Sequence, residues 1–154
     1  MNVITLDTIS LVRLPMAYDT ALSHARGHLE AEGFTILGEL DFRALLRDRT
    51  GEDVGPYATL EVWNPELAAR AIRADPKVGV FLPAGVAVYA DGNSGSYIAA
   101  LRPSAAIALT GNPILEAIGA EVEARLYRAV ENLAVEGNDR GGSSGSLRNL
   151  SGDL

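Results

Sequence analysis

Tyr57-Ala-Thr-Leu-Glu-Val-Trp63 alternates between two kinds of side chain, and this alternation decides how the chain folds. Successive side chains of a β-strand point to opposite faces of a sheet. Ala58, Leu60 and Val62 therefore form an apolar face, which we expect to lie under a layer of helices. The opposite face carries the aromatic and polar side chains of Tyr57, Thr59, Glu61 and Trp63.

Signals on both sides of this strand predict an α+β fold. Further strands are expected at residues 9–14 and 34–40, with a hairpin formed by residues 85–90 and 97–101. In residues 34–40 we expect Phe34, Ile36 and Leu40 on one side and Glu39 on the other. Helices are expected at residues 19–32, 41–49, 65–75 and 113–135. The order of elements predicts a mixed or antiparallel sheet of about five strands, with helices mainly on one face and a long C-terminal helix.

The length of 154 residues fits one domain. We expect residues 1–136 to form this single α+β domain. Residues 137–154 are rich in glycine and serine and have little to bury, so we expect them to form a flexible tail.

Composition makes several functions unfavourable. The chain has no cysteine, which removes disulfides, thiolate nucleophiles and cysteine-ligated metals. Its formal net charge of -7 repels phosphate backbones, so we expect no nucleic-acid binding. No stretch approaches the roughly 20 apolar residues that span a bilayer, and we expect a cytoplasmic protein without a membrane partner. Neither a phosphate-binding loop nor a nucleophile elbow is present, and no cofactor is expected.

The aromatic and polar face of residues 57–63 is the candidate working surface. In the predicted hairpin, Val86 and Val88 alternate with Ala87 and Tyr89 in the same way. Aromatic side chains with polar groups are common at partner and ligand surfaces. The surface would pair with a second copy in a homodimer, bind another protein or a small apolar or aromatic molecule, or remain exposed. The candidate ligand-binding residues are Tyr57, Thr59, Glu61, Trp63, Asn64 and Tyr89.

Asn64 has a second interpretation. It precedes Pro65 where a helix is expected to begin, and Asn112 precedes Pro113 in the same way. Asparagine followed by proline at the first helical position is a helix-capping pattern, which explains both residues without a binding role. Asn64 remains a candidate because it directly follows Trp63, at a strand-to-helix junction.

Glu39 and Glu61 suggest an alternative function. If both carboxylates lay close together on the second sheet face, the pKa of one would rise and permit acid–base catalysis. The protein would then be a cofactor-independent isomerase or lyase that uses Glu61 or Glu39. In the opposing interpretation, the two lie apart or pair with an arginine such as Arg13. The sequence identifies no catalytic residue.

His24 and His28 lie four residues apart on a predicted helix, with Glu32 one turn further. This spacing can bring two imidazoles and a carboxylate to one metal ion. However, the two histidines lie about opposite the apolar stripe formed by Leu22 and Leu29. We therefore interpret them as a solvated helix face and expect no metal site.

Short pieces in the middle of the chain resemble a known family. Glu32-Gly33-Phe34 opens a strand that ends at Glu39-Leu40-Asp41, and Pro56-Tyr57 opens the next strand. The later pieces, in order, are Trp63-Asn64-Pro65-Glu66-Leu67-Ala68, Ala74-Asp75-Pro76, Phe81-Leu82-Pro83 and Arg125-Leu126. This order, over roughly residues 16–135, resembles the bacterial and archaeal family called domain of unknown function 302. The resemblance implies a compact α+β domain, commonly dimeric, and implies no activity.

The chain departs from that family's pattern at two positions. Members often have a cysteine directly before Asn-Pro and another directly after Leu-Pro, where this chain has Trp63 and Ala84. Thiol or metal chemistry of those cysteines is therefore impossible here. The resemblance suggests that the ring of Trp63 fills the corresponding pocket.

Overall fold

The computed structural model describes residues 3–92 and 94–143. The stretch at residues 57–63 forms one strand of a six-stranded sheet. The strands are β1 (Ile4–Thr5), β2 (Ile9–Leu14), β3 (Thr35–Asp41), β4 (Tyr57–Trp63), β5 (Ala84–Asp91) and β6 (Gly95–Leu101). Their order in the sheet is β1-β2-β6-β5-β4-β3, and every neighbouring pair is antiparallel. The α+β class with an antiparallel sheet is confirmed.

Five α-helices accompany the sheet in the described part of the chain. They are α1 (Tyr18–Ala31), α2 (Phe42–Thr50), α3 (Pro65–Ala74), α4 (Pro103–Ile107) and α5 (Pro113–Ser143). Two 3₁₀ helices, Pro76–Phe81 and Ala108–Thr110, connect them. The first of these includes most of residues 78–82, an apolar segment whose sequence has no clear helix or strand pattern. None of these helices is long and apolar enough to cross a membrane.

The main core lies between one face of the sheet and the helices α1 and α5. The side chains of Leu60, Val62, Val86 and Val88 are fully buried in this layer. They pack with Leu29 of α1 and with the apolar stripe of α5, namely Leu126, Ala129, Val130 and Leu133. The alternation read from β4 and β5 therefore orients both strands as expected.

A smaller core lies beside the first and is built mainly by α3, α4 and the beginning of α5. Its buried members are Leu67, Ala71, Val78, Ile107, Leu115 and Ile118. Capping asparagines begin two of these helices. Asn64 Oδ1 accepts a hydrogen bond from the Leu67 amide, and Asn112 Oδ1 accepts one from the Ile114 amide. Both caps agree with the Asn-Pro pattern.

The side-chain orientation expected for residues 34–40 is wrong at the end of β3. The register shifts between Ile36 and Gly38, so that Leu37 is an extra residue in the strand. Such a bulge reverses the alternation beyond it. Leu40 consequently pairs with Thr59, and its side chain is 42% exposed. Glu39 pairs with the buried Leu60 and so lies on the helix-covered side.

The end expected for the long helix is also wrong. Helix α5 does not stop near Val135 but continues to Ser143, through the start of the expected tail. Gly137 is buried, and a Cβ added there would lie 3.2 Å from Met16 Cε and 3.3 Å from Pro15 Cδ. The glycine thus permits close packing of α5 against the end of β2. The rest of the tail expected over residues 137–154, namely residues 144–154, lies outside the described residues.

Candidate functional site

The face of the sheet opposite α1 and α5, called the open face below, carries a row of stacked aromatic rings. The strand register aligns Tyr57 of β4 with Tyr89 of β5 and Tyr97 of β6. Their ring centroids are 5.2 Å and 5.4 Å apart, and the ring of Phe42, at the start of α2, stacks on Tyr57 at 5.5 Å. These four rings form the aromatic row. Offset stacking at such distances adds about 0.5–1.5 kcal/mol per pair beyond the area that is buried.

Arg13 extends the aromatic row on the next strand. It pairs in register with Tyr97, and its guanidinium Nε donates a hydrogen bond to the Asp91 carboxylate. Partial burial and the neighbouring Tyr57, Tyr97 and Asp91 raise the pKa of the Tyr89 hydroxyl. Tyr89 therefore stays protonated at neutral pH and adds no negative charge to the row.

The centre of the open face is formed by small side chains. Thr59 lies opposite Ala87, which in turn lies opposite Ala99. The hydroxyl of Thr59 donates a hydrogen bond to Glu61 Oε1 at 3.1 Å, so the carboxylate has a partner within its own strand. The side chains in the middle of the open face are consequently short, and the large rings lie along the aromatic row.

Exposed aliphatic side chains surround this centre. Ile9 of β2 and Leu40 of β3 lie on the open face by register, and both are more than one-third exposed. Leu45 and Leu46 of the neighbouring helix α2 are also exposed, and α2 buries none of its residues. Exposed aliphatic residues grouped in this way are typical of a surface that contacts another molecule.

The structure places four of the six predicted ligand-binding residues together on the open face. Tyr57, Thr59, Glu61 and Tyr89 are partly exposed there. Trp63 follows the same alternation at the end of β4, and it also borders an apolar cavity described below.

Asn64 is separated from this group. Asn64 is buried and its Oδ1 caps α3. Its Nδ2 donates a hydrogen bond to the Gly33 carbonyl at 3.1 Å. This carboxamide therefore links α3 to the turn between α1 and β3. Both ends of the side chain therefore have a structural role, since each makes a hydrogen bond that holds the backbone in place.

The structure does not bring Glu39 and Glu61 to one face. Because of the bulge at Leu37, Glu39 lies on the helix-covered side, where its carboxylate pairs with Arg26 of α1 at 2.6 Å. Glu61 lies on the open face opposite Gly85. The structure agrees with the opposing interpretation, in which the two carboxylates lie apart, and one of them pairs with an arginine. Arg13 pairs with Asp91 rather than with either glutamate.

His24 and His28 do not form a solvated helix face. Each ring is partly buried against α5, with His24 Nδ1 2.8 Å from Glu136 Oε1 and His28 Nε2 2.6 Å from Glu136 Oε2. Hydrogen bonds from His28 and His24 lower the pKa of the Glu136 carboxyl from 4.5 to about 2. Glu32 instead pairs with Arg128. In the described residues, no three side chains of His, Cys, Asp or Glu are arranged to hold a metal ion.

An apolar cavity lies at the end of the sheet, between α3, α4 and α5. The volume of this cavity is about 40 Å³. Its lining includes Trp63, Ala71, Phe81, Ala84, Ala106 and Ile118. The sequence does not predict this cavity, because its lining residues come from several separate segments and are apolar types that are common in any core.

Comparison with known proteins agrees with this fold. A family model described as domain of unknown function DUF302 matches residues 11–133. A crystal structure of an uncharacterized conserved protein DUF302 from Bacillus stearothermophilus is similar to this chain, with a TM-score of 0.75 and 26% sequence identity. The similarity covers 81% of this chain and 97% of that one. No match was found among curated proteins. The chain therefore belongs to the family described as domain of unknown function DUF302.

Proposed function

We propose that this protein is a cytoplasmic, non-catalytic module that forms a homodimer by packing two open faces against each other. The observation that carries this proposal is the aromatic row, which lies on the sheet face that α1 and α5 leave uncovered. Identical surfaces related by a two-fold axis are the commonest way in which soluble proteins self-associate.

The size of the open face supports a dimer. Five strands spaced about 4.8 Å apart and about seven residues long give a projected area of roughly 500 Å² on each copy. Two copies would then bury roughly 1,000 Å², which reaches the lower limit of specific interfaces. The exposed leucines of α2 would add to this area.

The distribution of charge also supports a dimer. Arg13 and Asp91 pair with each other at the end of the aromatic row, and Glu61 accepts a hydrogen bond from Thr59. The centre of the face is otherwise formed by Thr59, Ala87 and Ala99. A cluster of like charges between two faces would oppose association. Two such faces would meet without forming one.

A small aromatic ligand would use the same groups, with the rings of Tyr57 and Tyr89 as contact surfaces and Glu61 or Thr59 as polar contacts. This ligand alternative remains the competing explanation of the aromatic row. The acid–base alternative loses the close carboxylate pair that would support it, because Glu39 and Glu61 lie on opposite faces.

Native mass spectrometry of the full chain tests the proposal. The wild type should appear as a dimer, without added mass, at about 10 μM. Tyr89→Ser removes the ring in the middle of the aromatic row and should weaken the dimer at least about tenfold, a difference of about 1.4 kcal/mol. Tyr127→Ser, at an exposed position on α5, is the matched control and should leave the dimer unchanged.

A monomeric wild type at this concentration would contradict the proposal. Equal effects of Tyr89→Ser and Tyr127→Ser would contradict the choice of surface. A co-purified small molecule that is lost from Tyr89→Ser would favour the ligand alternative.

A further inference from the structure

We infer that the apolar cavity between α3, α4 and α5 is a binding site for a small uncharged molecule, of the size of a single aromatic ring. This inference goes beyond self-association and concerns another part of the protein. None of the four rings of the aromatic row lines the cavity.

The cavity exists because several lining side chains are short. Ala68 and Ala71 of α3, Ala84 of β5 and Ala106 of α4 all face it. The remaining volume of about 40 Å³ exceeds the roughly 10–15 Å³ that one water needs. A void of this kind deprives its lining of dispersion contacts, which an apolar occupant would restore. An apolar cavity of roughly 150 Å³ holds benzene, so a whole ring would enter only when partly exposed lining side chains such as Phe81 and Leu82 move aside.

The lining selects an uncharged occupant. Among the described residues, the polar side-chain groups of the lining are the indole N–H of Trp63 and the carboxamide of Asn64. Both ends of that carboxamide are already bonded, to the Leu67 amide and to the Gly33 carbonyl. A charged or strongly polar molecule would lose its hydration in this cavity without gaining partners.

Three exposed aliphatic side chains mark the segments around the cavity. Val80, Leu109 and Ile114 are 83%, 86% and 61% exposed. Val80 precedes the lining residue Phe81, and Leu109 follows the lining residue Ile107 by two positions. Ile114 is the second residue of α5, one turn before the lining residue Ile118. We call these three side chains the apolar rim. None of the three lines the cavity itself, but apolar groups exposed on the segments that form it would offer contact to an apolar molecule on its way in.

Trp63 provides the measurement, because it is the only tryptophan in the chain and borders the cavity. Toluene is the probe, and benzoate is its charged counterpart with the same ring. We expect toluene to cause a saturable change in tryptophan emission and benzoate to cause none at the same concentration.

Two variants of one short helix test the location. Ala106→Leu would fill the cavity, whereas Ala105→Leu adds the same volume at a partly exposed position of α4 that does not line it. Toluene should bind Ala106→Leu at least about tenfold more weakly than the wild type. The affinity of Ala105→Leu for toluene should stay within about twofold of the wild-type affinity. Thermal unfolding of both variants establishes that they are folded. Ile118→Ala would enlarge the cavity, and toluene should raise its midpoint of unfolding more than that of the wild type.

Three results would overturn the inference: no saturable response up to the solubility of toluene, equal toluene affinity in Ala106→Leu, or equal binding of benzoate. Binding to neutral phosphatidylcholine vesicles that is lost in Leu109→Ser, without any toluene response, would assign the apolar rim to a lipid surface and would also overturn it. The same titration of Tyr89→Ser separates this site from self-association, because toluene binding should remain when the dimer is weakened.

Discussion

The two faces of the sheet are formed by the same strands and differ in what covers them. On the helix-covered face, Leu60, Val86 and Val88 have no accessible surface. Their direct neighbours in sequence on the open face, such as Thr59 and Tyr89, are partly accessible to solvent. The comparison shows that the alternation in one strand separates the residues that stabilise the monomer from those that are available to a partner.

The largest expected effect distinguishes the two faces within β4. Leu60→Ala should lower the free energy of unfolding by about 2–5 kcal/mol, because it leaves a cavity under α1 and α5. Thr59→Ala, one position away on the open face, should lower it by less than about 1 kcal/mol. Urea unfolding at a fixed protein concentration measures both, since dimerisation also contributes to stability. Equal losses would show that the open face is as important to the monomer as the covered one.

A smaller effect concerns Asn64, a polar residue buried where the strand ends. Asn64→Ala removes the cap of α3 and the hydrogen bond to the Gly33 carbonyl, and should cost about 1–3 kcal/mol. Asn112→Ala removes a cap of the same type at the start of α5 and should cost about 1 kcal/mol. Chemical denaturation of the two variants provides the comparison. If both variants lose the same free energy of unfolding, the hydrogen bond between Asn64 and the turn before β3 contributes nothing to stability.

The smallest effect tests the contact between α1 and α5 above the covered face. The pKa of Glu136 in the folded protein, about 2, lies below its ordinary value of 4.5. The ionised carboxylate therefore stabilises the fold fully above about pH 4.5, and this stabilisation is lost as the pH falls from there towards 2. The melting temperature of the wild type should exceed that of Glu136→Gln at pH 6, and the difference should disappear near pH 2.

Partial exposure of Glu136 and of both histidines keeps this last effect small, since solvent screens the interaction. Glu131→Gln, at an exposed position of the same helix, is the control and should follow the wild type across this range. A constant difference between the wild type and Glu136→Gln from pH 6 to pH 2 would contradict the assigned contact.

The sequence predicts those features that depend on local patterns. Alternation over residues 57–63 and 85–90 identifies which side chains enter the core, and the Asn-Pro pairs identify the starts of α3 and α5. These features can be predicted because the hydrophobic period or the capping residue of each element lies within a few residues of the chain.

The features that the sequence did not predict depend on distant contacts. The bulge at Leu37 is fixed by pairing with β4, and Gly137 continues a helix because β2 and the following residues Pro15 and Met16 lie against it. Glu136 meets His28 across 108 positions of the chain. For the candidate site, alternation identified the open face, but the alignment of Tyr97 and Phe42 into one row required the strand register.

The order of strands has a consequence for how the protein is made. The first full strand, β2, is hydrogen-bonded to β6, which is synthesised about 85 residues later. During translation, residues 9–14 therefore cannot complete their pairing with β6 until residue 101 has left the ribosome. Pairing across such a separation makes folding slow, because the intervening chain must be ordered before the contact forms. A nascent chain that ends before β6 lacks the strand that joins β2 to the rest of the sheet, and such an unpaired edge is prone to aggregation unless a chaperone covers it.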